Sequence, residues 1–201
     1  KGSDAYRNGE YDEAISFYLR SIELDPATAA YYNLGNAYYD QGNLTKAIQS
    51  YKKAIELDSA AADAYINLGI AYGRQGNTAK AIQMFDKAIE LKPEYAKAYN
   101  NLGIAYDDQG NYTKAIQSYE KAIELKPDYA IAYNNMGLVY YDSGNLTEEI
   151  ANELGYYPDG RSDDKGTEPE TVEHFKLGKG KNKRDFIAVA LERCYNNGDV
   201  E

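Results

Sequence analysis

The 201-residue sequence predicts an all-α fold, a solenoid of stacked helical hairpins with a helical cap or appendage at its C-terminal end, on three observations. First, Asn33-Leu34-Gly35, Asn67-Leu68-Gly69, Asn101-Leu102-Gly103 and Asn135-Met136-Gly137 recur at a strict 34-residue interval. A repeat of that length is one supersecondary unit, too small to bury its own apolar face. Second, an aromatic stands three residues before each Leu or Met (Tyr31, Tyr65, Tyr99, Tyr133) and another four after it (Tyr38, Tyr72, Tyr106, Tyr140), a spacing that places all of them on one helical face. Third, Gly42, Gly76, Gly110 and Gly144 follow, each succeeded by Asn43, Asn77, Asn111 or Asn145. Glycine ends a helix in the left-handed conformation without a Cβ penalty, and asparagine caps the next helix.

The elements follow in chain order. A partial first unit begins inside its first helix, at Ala5-Tyr6-Arg7-Asn8-Gly9. Full units span about 28–61, 62–95 and 96–129, and an altered unit starts at 130. The second helix of each full unit carries small and aromatic residues at helical spacing: Ala47, Tyr51 and Ala54, then Ala81, Phe85 and Ala88, then Ala115, Tyr119 and Ala122. Pro26, Pro93 and Pro127 close units, because proline cannot continue the helix before it; Ser59 departs from that pattern.

This frame of aromatic, Leu-Gly, Tyr, Gly, Ala, aromatic, Ala and Pro resembles the tetratricopeptide repeat, over about residues 1–148. The resemblance implies a right-handed α-solenoid whose first helices line a concave groove, and a non-enzymatic scaffold that holds another protein or a peptide there. It also places the candidate contacts: Tyr32, Asn33, Asn36, Tyr39 and Asp40 in one unit; Asp63, Asn67 and Arg74 in the next; Lys97, Asn100, Asn101 and Asp108 in the third; Asn134, Asn135, Tyr141 and Asp142 in the fourth.

Asn33, Asn67, Asn101 and Asn135 occupy one position of successive helices, and an amide both donates and accepts, as a peptide backbone requires. With helices about 10 Å apart, such a ladder meets an extended chain at roughly every third residue. The same asparagines equally suit hydrogen bonds from helix to helix, and the sequence leaves both roles open. Asp40, Asp107, Asp108 and Asp142, with Arg74 and Lys97 as exceptions, predict a neutral-to-basic extended ligand. Family members that bind chaperone tails clamp a terminal carboxylate with Lys, Asn and Arg. Here only Lys97 fits and the clamp's arginine position carries Asn, which disfavours such ligands.

The array breaks where Glu149, Glu153 and Tyr156 replace the expected Ala, aromatic and Ala, so the predicted array ends near 154. Residues 155–171 read as a linker or loop rich in Gly, Pro and charge, and 172–201 as a helical segment. Cys194-Tyr195-Asn196-Asn197-Gly198 resembles the end of a repeat's first helix, which suggests head-to-tail self-association through terminal half-repeats. The basic run Lys176, Lys179, Lys181, Lys183 and Arg184 offers a segment that could fold back into the acidic groove.

Composition bounds the remaining classes. A net charge of −10 argues against nucleic acid, and no apolar run is long enough to span a membrane. No secretory signal is evident at the N-terminus and the one cysteine has no partner, so a reducing, cytoplasmic setting is expected. His174 and Cys194 have no evident base near them in sequence, and Gly178-Lys179-Gly180-Lys181 lacks the spacing of a phosphate loop. No catalytic residue, metal site or cofactor is expected. The N-x-T sequons at Asn43, Asn111 and Asn145 fall at the repeat spacing and read as caps. The alternative to a peptide-binding scaffold is a consensus-like or engineered structural repeat protein without a natural ligand, a reading that the near-identity of the units favours.

Overall fold

The computed structural model describes residues 1–143, in which all regular structure is helical. The second helix of the altered unit, the Asn145 cap, the 155–171 linker, the 172–201 helical segment with its basic run, and the C-terminal half-repeat invoked for self-association lie outside the described residues, as do His174 and Cys194. The helices are α1 (Gly2–Arg7), α2 (Tyr11–Leu24), α3 (Thr28–Asp40), α4 (Leu44–Leu57), α5 (Ala62–Arg74), α6 (Thr78–Leu91), α7 (Ala96–Asp107), α8 (Tyr112–Leu125) and α9 (Ala130–Asp142).

The hairpins form where local chemistry dictates. Asn43, Asn77 and Asn111 each accept a hydrogen bond through the side chain from the backbone N–H three residues on, at 3.2, 3.3 and 3.3 Å, and so cap α4, α6 and α8. The preceding Gly42, Gly76 and Gly110 have φ of 86°, 81° and 70°, the left-handed turn that ends α3, α5 and α7. Within each hairpin the two helices approach through the Leu-Gly pair. The Gly35, Gly69 and Gly103 backbones lie directly against the rings of Tyr51, Phe85 and Tyr119.

Each second helix then packs on the first helix of the following unit, and the core runs along the stack in two clusters, with Tyr106 packed against both. Ala37, Ala47, Ala54, Ala71, Ala88, Ala115 and Ala122 have no exposed surface; side chains this small let helices approach closely. Tyr38, Tyr72 and Tyr140 are buried as packing residues and Tyr106 is half-buried. First helices of successive units also touch directly, α3 with α5, α5 with α7 and α7 with α9, without comparable contact between successive second helices. The first helices therefore form the inner, concave layer and the second helices the outer one.

Candidate functional site

The concave layer is built from what α1, α3, α5, α7 and α9 turn away from their hairpin partners. The asparagine at the ladder position meets a different neighbour in each unit. Asn67 donates through Nδ2 to the Tyr32 hydroxyl at 3.0 Å and to Asn36 Oδ1 at 2.9 Å, both on α3. Asn36 Oδ1 also accepts from the Tyr51 hydroxyl at 2.8 Å, joining four polar side chains into one network between α3, α4 and α5. Asn135 donates to Asn100 Oδ1 on α7 at 3.2 Å. Asn101 turns back to the Lys97 carbonyl of its own helix at 2.8 Å. Asn33 is half-buried and has no hydrogen-bond partner among the described residues.

One rule accounts for these differences. An asparagine here looks onto two positions of the preceding first helix. Those positions hold Tyr32 and Asn36 for Asn67, Ile66 and Ile70 for Asn101, and Asn100 and Ile104 for Asn135. Where both are polar the amide bonds both; where one is polar it bonds that one; where neither is, it falls back on a backbone carbonyl, since a half-buried donor left unpaired is costly.

The other expected contact residues are spread along the same face. Asp40, at the end of α3, is exposed and accepts a hydrogen bond from the Tyr6 hydroxyl of the preceding first helix; Asp63, in the first turn of α5, accepts one from Tyr95, which precedes α7. Burial, and then the bonded carboxylate, push the Tyr6 and Tyr95 phenols above their ordinary value, so both stay neutral donors. Arg74 lies over the Tyr39 ring, its Cζ 4.8 Å from the ring centroid. Lys97, Asp108 and Asn134 are exposed. Asn100 departs from the expected exposed stripe: it is only 4% exposed, because its bond to Asn135 lies between two helices. The side chains of Tyr141 and Asp142 lie outside what is described.

The sequence reading passed over an apolar row on this face. Three residues beyond Asn67, Asn101 and Asn135 stand Ile70, Ile104 and Leu138, half-buried or exposed, where the first full unit carries Asn36. The residue after each Leu-Gly or Met-Gly pair was the available signal. The inner face thus changes along its length, polar and aromatic around α1 and α3 and more apolar from Ile70 of α5 through α7 and α9. Among the described residues no group of His, Cys, Asp or Glu could hold a metal ion, and no helix is long and apolar enough to cross a membrane.

Comparison with known proteins agrees with this architecture. A family model described as TPR repeat matches residues 2–42, 35–76 and 105–144, and two described as Tetratricopeptide repeat match 62–95 and 84–117. Sperm-associated antigen 1 of Homo sapiens is 38% identical over 58 residues, 29% of this chain and 6% of that protein. The mitochondrial import receptor subunit TOM70 of Saccharomyces cerevisiae is 39% identical over 57 residues, 28% of this chain and 9% of that one. The chain therefore matches less than a tenth of the length of these relatives. Among solved structures, MamA shares the fold with a TM-score of 0.65 and 38% identity, over 71% of this chain and 84% of that one. The first TPR of Spaghetti (RPAP3), solved bound to the HSP90 peptide SRMEEVD, has a TM-score of 0.56 and 27% identity, over 58% and 93%.

Proposed function

Because the chain belongs to the tetratricopeptide repeat family, whose arrays are protein-interaction scaffolds, we propose that its concave layer binds an extended, neutral-to-basic peptide segment of a partner protein. The observation that carries the reading is the charge of the inner face. Asp40, Asp63 and Asp108 are exposed on it, and of its cations Arg7 pairs with Asp4 at 3.6 Å and Arg74 lies on the Tyr39 ring. The peptide held by the RPAP3 fragment supports a peptide as the class of ligand, but SRMEEVD is acidic. An acidic face repels such a sequence and attracts its opposite.

Tyr32 and Tyr39 supply rigid contact area at low entropic cost. Asn33 offers its amide to the ligand backbone, and the apolar row of Ile70, Ile104 and Leu138 receives side chains that alternate with it. The test is fluorescence polarisation with three labelled peptides of one Gly/Ser background carrying lysines, no charge, or glutamates. Affinity is expected to fall in that order, and the lysine peptide is expected to weaken with added salt and in an Asp40→Asn/Asp108→Asn variant. Equal binding of all three peptides, or no response to the variant, refutes the reading.

A further inference from the structure

Between α1, α3 and α5 the concave face sinks into a cavity of about 210 Å³. That is smaller than the roughly 300–1,000 Å³ of pockets that take whole small molecules, and it suits a single side chain. The phenol rings of Tyr6, Tyr39 and Tyr51 wall it, with Asp40, Asn36 and Asn67 supplying the polar atoms and Ile70 an apolar edge. Asp40 carries a hydrogen bond from Tyr6 but, among the described residues, no ion pair. Asn67 spends Nδ2 on Tyr32 and Asn36, and its Oδ1 has no donor among the described residues. Burial pushes the three phenols up, so Asp40 provides the cavity's negative charge alone.

The repeat supplies its own control. One unit further on, the positions of Asn36, Tyr39, Asp40 and Tyr51 hold Ile70, Gly73, Arg74 and Phe85, and that hairpin packs as tightly, with Phe85 only 3% exposed. The polar and aromatic lining is therefore not something the fold requires. Arg74, meanwhile, places a guanidinium on the Tyr39 wall.

Building on the peptide-binding reading above, we propose that this cavity is a cation pocket that anchors one lysine side chain of the partner. The ammonium pairs with Asp40, donates to Asn67 Oδ1 and rests against tyrosine faces, an attraction that strengthens as water is excluded. Lysine fits better than arginine because Tyr6 already occupies one side of the Asp40 carboxylate. That leaves a site for a point donor rather than for the two parallel bonds of a guanidinium. Arg74 is the resident competitor for the Tyr39 ring.

The test titrates Nα-acetyl-lysine methylamide, its arginine analogue and its neutral norleucine analogue into the isotope-labelled full chain, read by two-dimensional amide NMR. The lysine probe is expected to shift Asn36, Asp40, Asn67 and Ile70 saturably and to spare the counterpart positions at Phe85 and Asn101. The arginine probe should bind more weakly and the norleucine probe not at all. Asp40→Asn should weaken the lysine probe by about fivefold or more, and Arg74→Ala should tighten it severalfold. Shifts spread over every exposed carboxylate, equal binding of norleucine, or indifference to both variants overturns the pocket. If the lysine probe fails here while the lysine-rich peptide still perturbs the concave face, the pocket falls and the groove reading stands. If neither perturbs that face, both fall.

Discussion

Two glycines four residues apart in α5 should respond to alanine in opposite directions. A Cβ on Gly69 would stand 2.5 Å from Phe85 Cε1, 2.9 Å from Cδ1 and 3.0 Å from Cζ, whereas carbon atoms prefer about 3.5–4.0 Å. The ring would have to retreat by about 1 Å, and at 3% exposure it has little room to do so. Overpacking of this kind costs about 1–3 kcal/mol, and so close an approach belongs at the upper end. Alanine's better helix propensity offsets about 1 kcal/mol, leaving Gly69→Ala destabilised by about 2 kcal/mol. At Gly73 an added Cβ meets only the Ala81 Cβ, at 3.9 Å, an ordinary contact. There the propensity gain stands alone, reduced near the helix end to about 0.5 kcal/mol of stabilisation. Urea unfolding followed by far-UV circular dichroism should therefore place the variant midpoints on either side of the parent's. A Gly69→Ala chain as stable as Gly73→Ala would mean that the Leu-Gly contact with the second-helix ring does not set the hairpin's spacing.

Other perturbations bear on the polar network and on the phenols. Asn67→Ala removes two half-buried hydrogen bonds and should cost about 1–2 kcal/mol in the same urea assay, while Asn33→Ala should change stability by less than about 0.5 kcal/mol. Equal losses from the two would show that the position matters only for helix packing. Burial holds the Tyr51 and Tyr119 phenols far above the ordinary tyrosine value, and each is 1% exposed. Above pH about 10 the unfolded chain has released these protons while the folded chain keeps them. Their contribution is therefore complete below that pH and falls as pH rises towards the folded values, by about 3 kcal/mol per pH unit for the pair. The urea midpoint should drop steeply in that range, with tyrosinate absorbance from these rings appearing only as the helices melt. Full tyrosinate absorbance in a still-helical chain would contradict this.

The helices and their ends were legible because each is fixed by chemistry within a few residues, repeated often enough to be unmistakable. Asn43, Asn77 and Asn111 cap the helices that follow them, and Gly42, Gly76 and Gly110 make the left-handed turns, for reasons complete in the local sequence. The candidate site was legible only in outline. Where an asparagine of the ladder sends its amide depends on a residue about 31–35 positions earlier, at the matching register of the preceding first helix. Four asparagines at one position of the repeat therefore become three bonding arrangements and, among the described residues, one unpartnered amide. The strict 34-residue period concealed this, because attention goes to what recurs, whereas recognition depends on what changes. Asn36 becomes Ile70, Tyr39 becomes Gly73 and Asp40 becomes Arg74 from one unit to the next. In a stack whose packing residues are nearly invariant, packing sets no reason for such exchanges, so the positions that vary along the inner face are where a partner's chemistry would be read.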